Sequence, residues 1–141
     1  MLLKSTRKVN LEVVTPDSNF FKGEVEMAIA RTTEGDIGIL YDHEPLVAPL
    51  KIGSIRVKET GDTFRWASCS SGFLTISEEQ VTIITDAAEW VDEIDLERAE
   101  RARERAEKRM KDGANKEVDV VRARAALRRA ANRIQLYHNN N

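Results

Sequence analysis

The feature that most constrains this chain is a change of hydrophobic period near residue 88. Before it, apolar and polar residues alternate, or β-branched types gather, in the short runs "VNLEVVT", "EVEMAIART", "SIRVKE", "TFRWAS" and "QVTIITD". A period of two places every second side chain on one face of a strand. Between the runs lie the turn formers "TPDSN", "EGDIG", "ETGD", "SSG" and "SEEQ". "KETGDTF" predicts a tight hairpin, with Gly61 and Asp62 at positions that favour left-handed backbone. No helix-period stretch interrupts these segments, so an antiparallel sandwich or barrel is expected.

Past residue 88 the composition turns helical. Asp95 to Lys111 holds no Gly or Pro and is dominated by Ala, Glu, Arg and Lys, all strong helix formers apart from the leading Asp. "KDGANKE" breaks the run, with Gly113 as the expected C-terminal cap. A second helix is predicted from about Asp119 to Leu136, after which "YHNNN" is expected to fray. So short a link implies an antiparallel hairpin. The expected class is β + α: a sandwich domain over residues 1–92, then a helical hairpin over 93–141.

The facing stripes of that hairpin are readable at 100° per residue. Leu96, Ala99, Ala102, Ala106 and Met110 share one face of the first helix; Val120, Ala123, Leu127, Ala130 and Ile134 share one face of the second. Half of these are alanine. A buried Ala supplies about one methyl, on the order of 0.8 kcal/mol, against roughly 1.5–3 for a larger aliphatic. The hairpin is built to close, but weakly.

Charge divides at the same boundary. Residues 1–92 carry nine Lys/Arg and fifteen Asp/Glu, whereas 93–141 carry thirteen and nine. A basic tail on an acidic body suits docking on an acidic surface or an anionic ligand. No apolar run reaches the roughly 18 residues of a membrane span, and the N-terminus lacks a signal-peptide core. Direct membrane insertion is therefore not expected. The single cysteine, Cys69, cannot form an internal disulfide, which points to a reducing compartment.

An Asp-x-x-Arg-Ala phrase occurs twice, in "EIDLERAER" and "EVDVVRARA". Asp95 and Asp119 are natural N-caps, and an Arg one turn on is placed for a surface ion pair. What asks for more is the second helix. Arg122, Arg129 and Arg133, spaced seven and four apart, fall within about 40° of one another, away from the apolar stripe. Stacked like charges without interleaved acids call for an external anion: phosphate, a carboxylate surface or nucleic acid. Nucleic acid is disfavoured by the net negative chain, the acids interleaved on the first helix, and the lack of aromatics among the arginines. Catalytic and metal motifs are missing from the sequence: no Walker loop, HExxH, CxxC or Gly-x-Ser-x-Gly. No catalytic residue and no metal site are expected.

Several segments in order then resemble one family. "LEVVTPD", "EGDIGILYDHEPLV", "SGFLTISEEQVTIITDAAE" and "IDLERA" are similar to successive motifs of the ε subunit of bacterial F-type ATP synthases, across nearly the whole chain. The resemblance implies a flattened sandwich of about ten antiparallel strands and a mobile helical hairpin. It implies a non-catalytic rotor subunit of a proton- or sodium-translocating complex, peripheral on the cytoplasmic face of the bacterial membrane. The implied partners are γ, the c-ring, and the α/β catalytic head, which the extended arm enters to block ATP hydrolysis.

In some members the folded arm binds ATP, here a regulatory ligand and not a catalytic cofactor. By resemblance that site takes Glu89, Ile94, Asp95, Arg98 and Ala99, with Arg129 and Arg133, and more weakly Arg122, from the second helix. Asp36 and His43 fall on the loop that faces the c-ring. The chain departs from the family at "YDHEP", which replaces a Pro-Gly or similar pair before His43, at Ser71, where a second Gly is common, and at Trp90, a bulky neighbour of the nucleotide site. Two other readings stay open: the same subunit with a structural arm that does not sense ATP, and a nucleic-acid-binding adaptor.

Overall fold

The computed structural model describes residues 7–112 and 117–140. They form two compact units, one running to Ala88 and one from Glu89 onward. The first unit is β-structure: β1 (Val9–Val14), β2 (Asn19–Val25), β3 (Met27–Thr32), β4 (Gly35–Ile39), β5 (Leu46–Lys58), β6 (Arg65–Cys69), β7 (Gly72–Ile76) and β8 (Val81–Thr85), with β9 (Ala88–Trp90) starting at its last residue. Hydrogen-bonded order runs β2-β1-β8-β7-β5-β3-β4. β1 and β8 are parallel, and the other registered pairs are antiparallel.

β5 makes this sheet a sandwich. Its first half, Leu46–Leu50, pairs with β7, and Gly53–Val57 pairs with β6 on the same edge. On the opposite edge β3 jumps from Ala30↔Ile55 to Thr32↔Leu50. The strand turns between these halves, and Gly53 sits there because a Cβ would lie 2.9 Å from Arg31 Cγ. One long strand thus serves both layers, and the structure describes nine strands where the resemblance implied about ten.

The period-two pattern fills the core as expected. Leu11, Val13, Ile55, Val57, Leu74, Ile76, Val81 and Ile83 are buried at alternate positions. Two expectations about the turns change. "EGDIG" is a turn only at its start, since β4 begins at Gly35; the Thr32 hydroxyl donates to Gly35 O at 2.6 Å and closes a turn over Thr33 and Glu34. Gly38 serves packing, because a Cβ there would meet Met27 Cε at 2.9 Å. "EVEMAIART" is two strands, broken at Glu26, whose N–H bonds Lys58 O. Gly61 has φ +79°, as expected of the hairpin, while Asp62 does not take positive φ.

The second unit holds a 3-10 turn (Val91–Glu93), α1 (Leu96–Asp112) and α2 (Glu117–Asn139). Asp95 is the N-cap of α1, with Oδ1 accepting from Arg98 N at 3.1 Å. Asp119 is not a cap: α2 begins at Glu117, so Asp119 lies inside the first turn, where a negative charge suits the helix dipole. α2 also runs past Leu136 rather than fraying, because the Asn140 side chain donates to Leu136 O at 2.9 Å and covers an orphan carbonyl. The expected cap at Gly113 lies outside the described residues. Ala99 and Ala106 on α1, and Ala123 and Ala130 on α2, are buried at seven-residue spacing where the helices pack.

Gly72 is the least replaceable glycine among those described in the β unit. A Cβ there would stand 1.9 Å from Ile84 O, and next to it the buried Thr85 hydroxyl reaches Ser70 O, Ser71 O and Ala87 O at 3.0–3.3 Å. Gly72→Ala is expected to destabilise by about 1–3 kcal/mol, the usual range for forced backbone shifts. A lower urea midpoint with unchanged slope checks it; an unchanged midpoint refutes it.

Candidate functional site

The candidate nucleotide residues lie in the second unit, and the structure brings some of them together. Glu89 and Arg133 meet directly: Arg133 Nε donates to Glu89 Oε1 at 3.0 Å, both side chains half-buried. The carboxylate keeps Oε2, and the guanidinium keeps its two terminal nitrogens, outside this bond. Ile94 and Ala99 are buried, with Ala99 at 0% exposure, so they contribute by fixing the start of α1. Asp95 binds the Arg98 backbone amide rather than its guanidinium. Arg98 stays exposed. Trp90 is buried at 7% exposure and offers no open face.

Arg122 and Arg129 are exposed and line a cleft of about 660 Å³ between the end of α1 and the first half of α2. Its floor is Ala123, Ala125 and Ala126, and its other walls are Arg109, Asp112 and Asp119. The arginine stripe thus has two parts. Arg133 is tied to Glu89, whereas Arg129 and Arg122 face open space. Arg109 and Asp112 escape detection by sequence because they join the cleft only through the register of α1 on α2. Elsewhere on α1 two pairs form one turn apart, Glu97–Arg101 at 3.9 Å and Arg103–Glu107 at 3.5 Å.

Asp36 and His43, in the sandwich, are separated by β4. Asp36 is the second residue of the strand, opposite Arg31 in register. It is held by the Arg31 guanidinium and, at 3.3 Å, by Arg56. Arg56 in turn lies over the Trp66 ring, 4.3 Å from its centroid. His43 follows the far end of β4, where Nδ1 donates to Glu44 O at 2.9 Å. There it lines a second cleft, about 320 Å³, with Tyr41, Asp42, Glu78 and Glu79. Asp42 takes φ +66°, a conformation that Asp tolerates better than most residues.

Burial pushes the Cys69 thiol up to about 11, which keeps it an inert core residue. Among the described residues, no three His, Cys, Asp or Glu side chains gather as for a metal ion. No helix among them is long and apolar enough to cross a membrane.

Against known proteins, the family profile described as ATP synthase, Delta/Epsilon chain, beta-sandwich domain matches residues 8–91. The profile for the long alpha-helix domain of the same chain matches residues 92–137. The ATP synthase epsilon chain of Alkaliphilus oremlandii is 56% identical over 100 residues, 71% of this chain and 74% of that one. The epsilon chain of Halalkalibacterium halodurans is 44% identical over 128 residues, 91% of this chain and 96% of that one. A chain in a cryo-EM structure of Euglena gracilis mitochondrial ATP synthase (OSCP/F1/c-ring) is similar with a TM-score of 0.75 and 26% identity, covering 89% of this chain and 78% of that one. A chain of the Tetrahymena thermophila central stalk and c-ring shares the fold at a TM-score of 0.57, 13% identity, and coverage of 96% and 97%.

The Arg31 hydrogen bond, then desolvation opposing it, then the charges of Arg31 and Arg56 set the Asp36 carboxyl, with a net shift below the ordinary carboxylate range. A depressed folded value means the stabilisation is present at neutral pH and is lost as pH falls through it. Because the pair is partly exposed, Asp36→Asn is expected to cost only about 0.2–1 kcal/mol at pH 7. Urea unfolding against pH checks this: the two proteins converge in acid, and a difference that persists there contradicts an ionic origin.

Proposed function

This chain belongs to the delta/epsilon chain family of ATP synthases, as a central-stalk subunit of the F-type complex, and from that membership we propose that it joins γ to the c-ring and restrains ATP hydrolysis through an ATP-sensing C-terminal arm. The sandwich is the rotor-binding part and the hairpin is the arm, so the chain is regulatory rather than catalytic. It works at the membrane surface, on the cytoplasmic face. A likeness to a chain from an assembly of OSCP, F1 and c-ring supports the rotor placement.

The observation that carries the ATP-sensing part is the arginine pair facing the cleft. Arg122 and Arg129 lie on one face of α2 with no ion pair among the described residues. Forked guanidinium contacts to phosphate oxygens suit such a site. Glu89 Oε2 accepts from the exocyclic amino group of adenine, while Arg133 steadies the carboxylate through Oε1. Arg129, one turn from Arg133, takes the inner phosphates, and Arg98 adds charge at the start of α1. The alanine-lined helix contact supports a closed state so weakly held that a ligand's differential affinity decides the population. At low ATP the arm is released, extends along γ and reaches the catalytic head.

Equilibrium dialysis of the full chain tests the ligand. Binding at millimolar ATP or below is expected, falling by roughly tenfold or more in Arg129→Ala, the loss of one charged hydrogen-bonded contact. No binding at millimolar ATP refutes the sensing role. Removal of residues 93–141 from the assembled complex is expected to raise its ATPase activity. A complex that fails to assemble instead assigns the arm a structural role.

A further inference from the structure

When a helical hairpin opens, contacts inside one helix survive and contacts that reach the other helix break. Glu97–Arg101 and Arg103–Glu107 lie inside α1, so they are silent in that change. Glu89–Arg133 is not. Its members stand 44 residues apart, and Arg133 Nε donates to Glu89 Oε1 at 3.0 Å. Glu89 precedes α1 and Arg133 lies late in α2, so the pair exists only while α2 is folded back.

The sequence of α2 sends Arg133 out of its own helix for a partner. From Val120 to Asn139 there is no Asp or Glu, and the positions one turn from Arg133 are Arg129, Ala130, Leu136 and Tyr137. A carboxylate has to come from elsewhere in the fold, and Glu89 supplies it. The side chains of Arg133 and Glu89 are 22% and 33% exposed, so water screens the pair less than it screens the pairs on the surface of α1.

The hairpin is held unevenly. At the linker end α2 packs on the 3-10 turn, and Trp90, Val91, Ile94, Ile134 and Leu136 are all buried. Toward the other end the helices meet through Ala106 and Ala123 and then part around the open cleft. We propose that Glu89–Arg133 is a latch: an ionic contact that holds the arm closed without any ligand, and whose rupture frees α2. Because the alanine contact is modest in energy, one such pair shifts the closed population appreciably. The latch rests on reading the hairpin as a two-state arm and not on nucleotide binding. A ligand on Glu89 Oε2 adds to it, since Oε1 stays with Arg133.

Thiol labelling of the nucleotide-free full chain tests the latch. Ala106→Cys is the probe: Ala106 is 2% exposed and sits on the helix opposite Arg133, so its labelling reports separation of the helices and not fraying at the end of α2. Cys69 is buried, with its thiol pushed up to about 11, and adds little background. With this probe, Glu89→Gln is expected to speed labelling roughly three- to tenfold, as the loss of a partly exposed charged hydrogen bond. Arg133→Gln, which keeps the helix propensity, is expected to do the same, and the two together to add little beyond either, since each removes one shared contact. Glu97→Gln, which breaks a pair inside α1, is expected to leave the rate within about twofold. Hydrogen exchange of α2 amides, in chains without the probe, is expected to follow the same order. Rates unchanged by Glu89→Gln, additive effects of the two substitutions, or an equal rise with Glu97→Gln each overturn the proposal. A wild type that binds no ATP refutes the sensing role and leaves these rates as they are, a result distinct from failure of the latch.

Discussion

Four alanines decide how the C-terminal unit behaves. Ala99 and Ala106 of α1, and Ala123 and Ala130 of α2, are buried where the helices meet. Methyl-sized side chains let two backbones approach closely, but each contributes only about 0.8 kcal/mol of apolar burial. In the sandwich, by contrast, Leu11, Ile39, Leu74 and Ile83 are fully buried, each worth roughly 1.5–3 kcal/mol. The sandwich core is therefore held by larger apolar burial than the helix contact. The hairpin contact is specific in geometry and modest in energy.

Charge placement follows the same division of labour. On α1, Arg101 and Arg103 are absorbed by Glu97 and Glu107 one turn away. Such pairs keep a helix soluble and add a few tenths of a kcal/mol. In the sandwich Asp36 is absorbed by Arg31 and Arg56, and the Trp66 ring backs Arg56. The cleft arginines meet no carboxylate among the described residues. Their carboxylate neighbours Asp112 and Asp119 stand in the same space without closing on them, so the site keeps its cations available.

How much was legible in the sequence depended on how local each cause was. Strand positions such as Leu11/Val13 and Val81/Ile83 follow from alternation alone, because the period of a strand is a property of its own backbone. The cap at Asp95 is equally local. The first half of β5 was not among the runs read as strands, and it holds Pro49 with Gly53 just beyond. Pro49 fits because its carbonyl accepts from Thr33 N, and Gly53 because Arg31 fills the space of a Cβ. Asp119 misled for a related reason, since the helix extended past the residue that looked like its start.

For the candidate site, residue types were visible and partnerships were not. An arginine stripe can be read from spacing, so Arg122, Arg129 and Arg133 were apparent as a group. That Arg133 faces Glu89, 44 residues earlier in the chain, while Arg129 and Arg122 face Arg109, is a consequence of chain return.

By itself the sequence determined the two-part architecture, the strand faces, the start of α1 and the weakness of the alanine contact, all set by side-chain volume and local backbone preference. Tertiary structure decided that Arg56 joins Arg31 on Asp36, that β5 serves two layers, and which guanidiniums remain open. Those outcomes depend on distances between residues far apart in the chain, and only packing sets such distances.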